Sequence, residues 1–118
     1  VVGVANNYQR GRAFEYRSRD ALLKRGAVYV MRAAQSKGKV DLLALWPKDG
    51  QVIDGFLIQI AHPPWLVQCK SGSARMSPAD RDDLITLAQQ TGGVPVLAEP
   101  GPKNRGVVFT NLLTKETL

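Results

Sequence analysis

The chain has 118 residues, 44% hydrophobic and 22% charged, one soluble domain's worth spanning 1–118 with a modest core. No apolar run reaches the roughly 18 residues of a membrane span, and Val1–Val4 runs into polar residues, unlike a signal peptide. One cysteine (Cys69) and one histidine (His62) exclude an internal disulfide, argue against structural zinc, and place the protein in the cytoplasm.

The 16 Lys and Arg outnumber the 10 Asp and Glu, giving +6 and a pI near 9.8. Such an excess favours a polyanionic partner, because Lys and Arg contacts to phosphate release counterions. Charge alone leaves a basic protein with no special partner equally open.

Residues 10–25, RGRAFEYRSRDALLKR, read as an amphipathic helix ended by Gly26, with Phe14, Ala21 and Leu22 on one stripe. Glu15 projects near the buried edge of that stripe. A strand-like run, Ala27–Met31, and a polar loop follow, then a second strand over 40–46 with Asp41 at its start. Composition marks 47–50 as a turn and 51–61 as extended, interrupted by Asp54-Gly55. Residues 65–70, WLVQCK, form the next strand. Ser77-Pro78-Ala79-Asp80 opens a helix as N-cap, first-turn proline and capping-box carboxylate, and Gly92-Gly93 closes it. Strands over 94–98 and 106–110 complete a single α/β domain with a mixed sheet.

The chemistry sits in Glu15, Asp41 and Gln68-x-Lys70. Strand alternation sends Gln68 and Lys70 to one face and Cys69 to the other. If strands 40–46 and 65–70 are neighbours, Asp41, Gln68 and Lys70 converge at one end of the sheet. Metal-assisted phosphodiester hydrolysis needs such a cluster: oxygen ligands for a hard divalent cation, and a lysine to stabilise charge at phosphorus. An Asp opening a strand and a Lys ending one are also common without catalysis. Glu15 could instead be a helix-surface carboxylate paired with Arg19, four residues on.

From Arg10 to Ala98 the sequence resembles the archaeal-type Holliday-junction resolvases, also phage-encoded, of the PD-(D/E)xK restriction-endonuclease-like superfamily. RGRAFEYRSRDALLKRGAVYVMR resembles their glutamate-bearing helix, glycine and first strand. AAQSKGKVDLLAL resembles the loop into the catalytic aspartate, WLVQCKSG occupies the E-x-K strand, and TGGVPVLAE the later glycine turn and strand.

The resemblance implies a restriction-endonuclease-like mixed β-sheet flanked by helices. It implies a metal-dependent endodeoxyribonuclease that resolves four-way junctions by paired symmetric nicks. Glu15, Asp41 and Gln68 would surround Mg²⁺, with Mn²⁺ able to substitute, and Lys70 would be the catalytic lysine. Arg32 and Ser36 match loop positions near the scissile phosphate. Arg10, Arg12, Lys37 and Lys39 flank the site as expected phosphate contacts, with ordinary solvated charge the alternative for each. If phage-encoded, the protein would act in the host cytoplasm.

Three features depart from that pattern. Gln68 replaces an acid, which removes one negative charge. Tyr16 stands where the family commonly has arginine. Residues 47–64 are an insertion between the catalytic strands, expected as a hairpin. Paired nicks with one site per chain imply a homodimer, with Leu84, Leu87 and Val94–Leu97 as candidate surfaces or simply core. Two other readings stay open: a VRR-type nuclease, which KVDLLAL, VQCKSG and RMSPADRDDL partly match, and a non-catalytic DNA-binding module, which Gln68 would favour.

Overall fold

Spacing of apolar side chains sets the first element. Phe14, Ser18 and Leu22 recur every four residues and are all buried, and they lie on helix α1 (Asn7–Lys24). The helix ends as its sequence dictates: Gly26 takes φ 108°, and the Ala27 N–H returns to the Leu22 carbonyl at 3.1 Å. The computed structural model describes residues 7–33 and 40–118.

Five strands form the main sheet: β1 (Tyr29–Arg32), β2 (Leu42–Leu45), β5 (Trp65–Cys69), β6 (Val94–Pro100) and β7 (Val107–Asn111), in the order β1-β2-β5-β6-β7. Only β5 and β6 run parallel among these neighbours. A parallel pair needs a crossover, and helix α2 (Pro78–Thr91) supplies it. Ser77 caps α2, its Oγ accepting the Asp80 N–H at 3.1 Å, and Gly92 closes it at φ 73°. Gly93 has a second constraint, because a Cβ there would run into Leu66 Cδ1.

Two cores result, one on each face of the sheet. Phe14 and Leu22 of α1 pack on Leu42, Val67, Val96 and Phe109. Leu84 and Ala88 of α2 pack on Leu66 and Leu112. Central strand β5 is therefore buried on both faces, which its run Leu66-Val67 suits.

Leu84 and Val96, expected among candidate dimer surfaces, are both fully buried inside their own chain. They belong to its core and cannot contact a partner. Leu87 of the same set is exposed.

Residues 47–50, expected as a turn, contribute Asp49 and Gly50 to a strand instead. β3 (Asp49–Ile53) pairs antiparallel with β4 (Phe56–Ile60) as a separate two-stranded sheet. Ladder pairing with Gln59 and Ile60 outweighs the turn-like composition there. Asp54 (φ 52°) and Gly55 (φ 82°) form the tip, the left-handed pair that a two-residue hairpin needs. Val52, Phe56 and Leu57 on this hairpin are each over 70% exposed. No described helix is long and apolar enough to cross a membrane.

Candidate active site

Asp41 is held by three hydrogen bonds before β2 begins. Its N–H donates to the Val67 carbonyl at 2.8 Å, and its own carbonyl accepts the Ala33 N–H at 2.9 Å. The Cys69 N–H donates to its Oδ2 at 2.7 Å. The β2–β5 pairing begins at Leu42↔Val67, and these three bonds hold Asp41 just before it, against the backbone of Val67 and Cys69.

The electrostatics follow from that position. Burial pushes the Asp41 carboxyl above its ordinary range; the Cys69 hydrogen bond opposes this, Glu15 adds to it, and Lys70 and Arg32 pull against it. Glu15, Lys70 and Arg32 thus all act electrostatically on one buried carboxyl.

Gln68 is buried, and its Oε1 has no hydrogen-bond partner among the described residues. An orphaned acceptor in the interior is costly. Lys70 follows the last residue of β5, its N–H fixed to the Ala98 carbonyl at 3.0 Å. Glu15 reaches in from α1 and accepts a hydrogen bond from Arg32 Nε at 2.9 Å. That ion pair is mostly buried, with side chains 17% and 23% exposed. The partner considered for Glu15 within the helix, Arg19, bonds Asp20 instead at 3.1 Å.

Arg32 belongs to a second grouping that the sequence reading missed. Tyr16 lies under three guanidiniums: Arg19 and Arg32 at 5.0 Å from its ring centre and Arg12 at 5.9 Å. Arg12, by hydrogen bond and charge, lowers the Tyr16 phenol, with Arg32 and Arg19 adding to this. The signal was present in the spacing, since residues 12, 16 and 19 share one helix flank. Arg10 is exposed on a different flank. Ser36, Lys37 and Lys39 lie outside the described residues.

Cys69 does not join this chemistry. Burial pushes its thiol up to about 12, with Asp41 and Glu15 contributing and Ser18 opposing. A thiol so poised stays protonated and is a poor nucleophile near neutral pH. His62 pairs with Asp49 at 2.6 Å beside the two-stranded hairpin.

The residues able to hold a metal are two carboxylates and one amide carbonyl. No group of three or more His, Cys, Asp or Glu suited to a metal occurs among the described residues. The oxygen set of Glu15, Asp41 and Gln68 nevertheless suits a hard cation, which prefers carboxylate and carbonyl donors. A cation beside Asp41 would favour its ionised form.

The fold is similar to that of Hjc, a Holliday junction resolvase from the archaeal hyperthermophile Archaeoglobus fulgidus. The two superpose with a TM-score of 0.62 at 19% sequence identity, over 88% of this chain and 74% of that one. No family model and no curated protein matches the chain. The restriction-endonuclease-like mixed sheet flanked by helices, expected from the sequence, is the architecture observed.

Proposed function

We propose, with that shared fold as premise, that the chain is a metal-dependent endonuclease that cuts four-way DNA junctions. What supports this reading is the buried Asp41 carboxyl, bonded by the Cys69 N–H and acted on by the charges of Glu15, Lys70 and Arg32 where β2 begins and β5 ends.

In this reading Glu15, Asp41 and the Gln68 carbonyl hold Mg²⁺, for which Mn²⁺ can substitute. When bound, the cation neutralises phosphoryl charge and makes a nearby water more acidic. The protein's own part is positioning. The Cys69 N–H fixes the Asp41 carboxylate through Oδ2, and Arg32 fixes Glu15. The Lys70 ammonium stabilises charge building on the phosphoryl oxygens. Water adds to phosphorus, the P–O3′ bond breaks, and a proton ends on the departing 3′ oxygen, leaving a 5′-phosphate.

One site per chain makes one cut, so symmetric paired nicks require a homodimer. Gln68 in place of an acid favours one second reading, a module that binds branched DNA without cutting it.

Cleavage of a labelled immobile four-way junction and of matched linear duplex, with and without Mg²⁺ or Mn²⁺, separates the readings. Symmetry-related nicks in the junction alone are expected. Metal-dependent cutting without junction preference would leave a nuclease of another specificity, the VRR type among them. Binding with no cutting would leave the inactive module. Asp41→Asn and Lys70→Ala should each lower cleavage by about 100-fold or more while junction binding persists. Unchanged cleavage by either variant would remove that residue from the mechanism.

A further inference from the structure

Helix α1 separates two basic regions. On one flank Glu15 bonds Arg32, on edge strand β1. On the other, Arg17 Nη2 donates to the Gly106 carbonyl at 3.0 Å and to Asn104 Oδ1 at 3.3 Å, beside the opposite edge strand, β7. Below that second flank lies a cleft of about 1100 Å³ between the start of α1, the loop of residues 70–75 and the turn after β6.

The lining of the cleft is specific. Arg10, Arg17, Lys70 and Arg75 supply four cations, against the single carboxylate of Glu99. Lys70 belongs both to this cleft and to the charges acting on Asp41, so the cleft opens from the candidate active site. Ser71, Gly72 and Ser73 form part of its wall, small residues that let a backbone approach closely. Among the described residues of the lining Phe14 is the only aromatic, and it is buried. Those residues offer no exposed ring on which a base could stack.

Arg17 is anchored by its two hydrogen bonds and rests 5.0 Å from the Phe14 ring centre. Its Nε is buried with no partner among the described residues. A fixed guanidinium holds its charge in place without further loss of side-chain freedom on binding.

The geometry points to a DNA backbone track: the strand that presents its scissile phosphate at Lys70 continues into this cleft, where Arg10, Arg17 and Arg75 take its neighbouring phosphates. Phosphate contacts carry no base code, so a track built on them is sequence-independent. This rests on the nuclease reading, since Lys70 defines where the track begins. It adds the direction in which the strand runs, away from Arg12, Tyr16 and Arg32.

The test uses metal-free protein, so binding is measured without cutting. Junction affinity is measured against salt for wild type, Arg10→Gln, Arg75→Gln and, as a control outside the cleft, Lys24→Gln. Each cleft variant should flatten the log K against log salt slope by about 0.9, equally for junctions of different sequence, and Lys24→Gln should leave it unchanged. Phosphate ethylation interference should mark consecutive phosphates on one side of the cut, and the mark should weaken in Arg75→Gln. Unchanged slopes in both cleft variants, with junction cleavage by the wild type intact, would overturn the track and leave the nuclease standing. Failure of the wild type to bind any DNA would overturn both.

Discussion

Burial raises the Asp41 carboxyl, and the sign of that shift has a consequence for stability. The folded chain holds this proton more tightly than the unfolded chain does. Between the two values the native state binds more protons, so stability falls as pH rises through that window. Above it the ionised carboxylate burdens the metal-free fold; below it the burden is gone. Asp41→Asn, which keeps an acceptor for the Cys69 N–H, should therefore melt higher than wild type at neutral pH without metal. The two should converge as the pH is lowered and Asp41 protonates. A variant that melts lower at every pH would mean that the charged bond to Cys69 outweighs desolvation. Gln68→Glu tests the same pocket in the other direction. An added carboxylate should tighten Mg²⁺ or Mn²⁺ binding, read as a larger metal-dependent rise in Tm. A smaller rise would remove Gln68 from the ligand set.

Among the elements, α2 turns a local signal into the global topology. It is the crossover that makes β5 and β6 parallel, and Leu84 and Ala88 close the core on its face of the sheet. Ser77 caps it from an exposed position, so its hydroxyl can be removed without opening a cavity. Ser77→Ala should cost about 1 kcal/mol of stability in denaturant titration, with DNA binding unaltered. A cost near zero would mean that Pro78 and the packing of α2 start the helix without the cap. The cap, the proline and the Gly92-Gly93 stop were readable from sequence, because each acts within a few residues of itself. The strand character of Asp49 and Gly50 was not, because it comes from the partners Ile60 and Gln59 on the other strand of the hairpin.

For the molecule as a whole, paired cutting requires two copies of one site. With Leu84 and Val96 enclosed in their own core, a partner must use other surface. Tyr29, Met31 and Leu45 provide exposed apolar side chains around paired strands β1 and β2. Sedimentation of the purified protein should give a dimer at micromolar concentration, and junction cleavage should release both nicks within one binding event. A monomer that nicks single strands would leave the endonuclease and remove symmetric resolution.

By itself the sequence determined the two helices and their stops and the succession of strands along the chain, and it nominated Glu15, Asp41, Gln68 and Lys70 as site candidates. Helical spacing, caps, glycines and strand alternation are local and leave their mark within a few residues. Tertiary structure decided the rest. It chose Arg32 over Arg19 as the partner of Glu15, because a strand 17 residues away in the chain lies against that flank of α1. It bonded the Asp41 carboxylate to the Cys69 N–H, a contact between two segments that neither specifies alone. It buried Leu84 and Val96 as core, and it opened the cleft beside Lys70 from residues near positions 10, 17, 75 and 99. Each of these depends on how separate segments meet, and close packing in three dimensions is what fixes that.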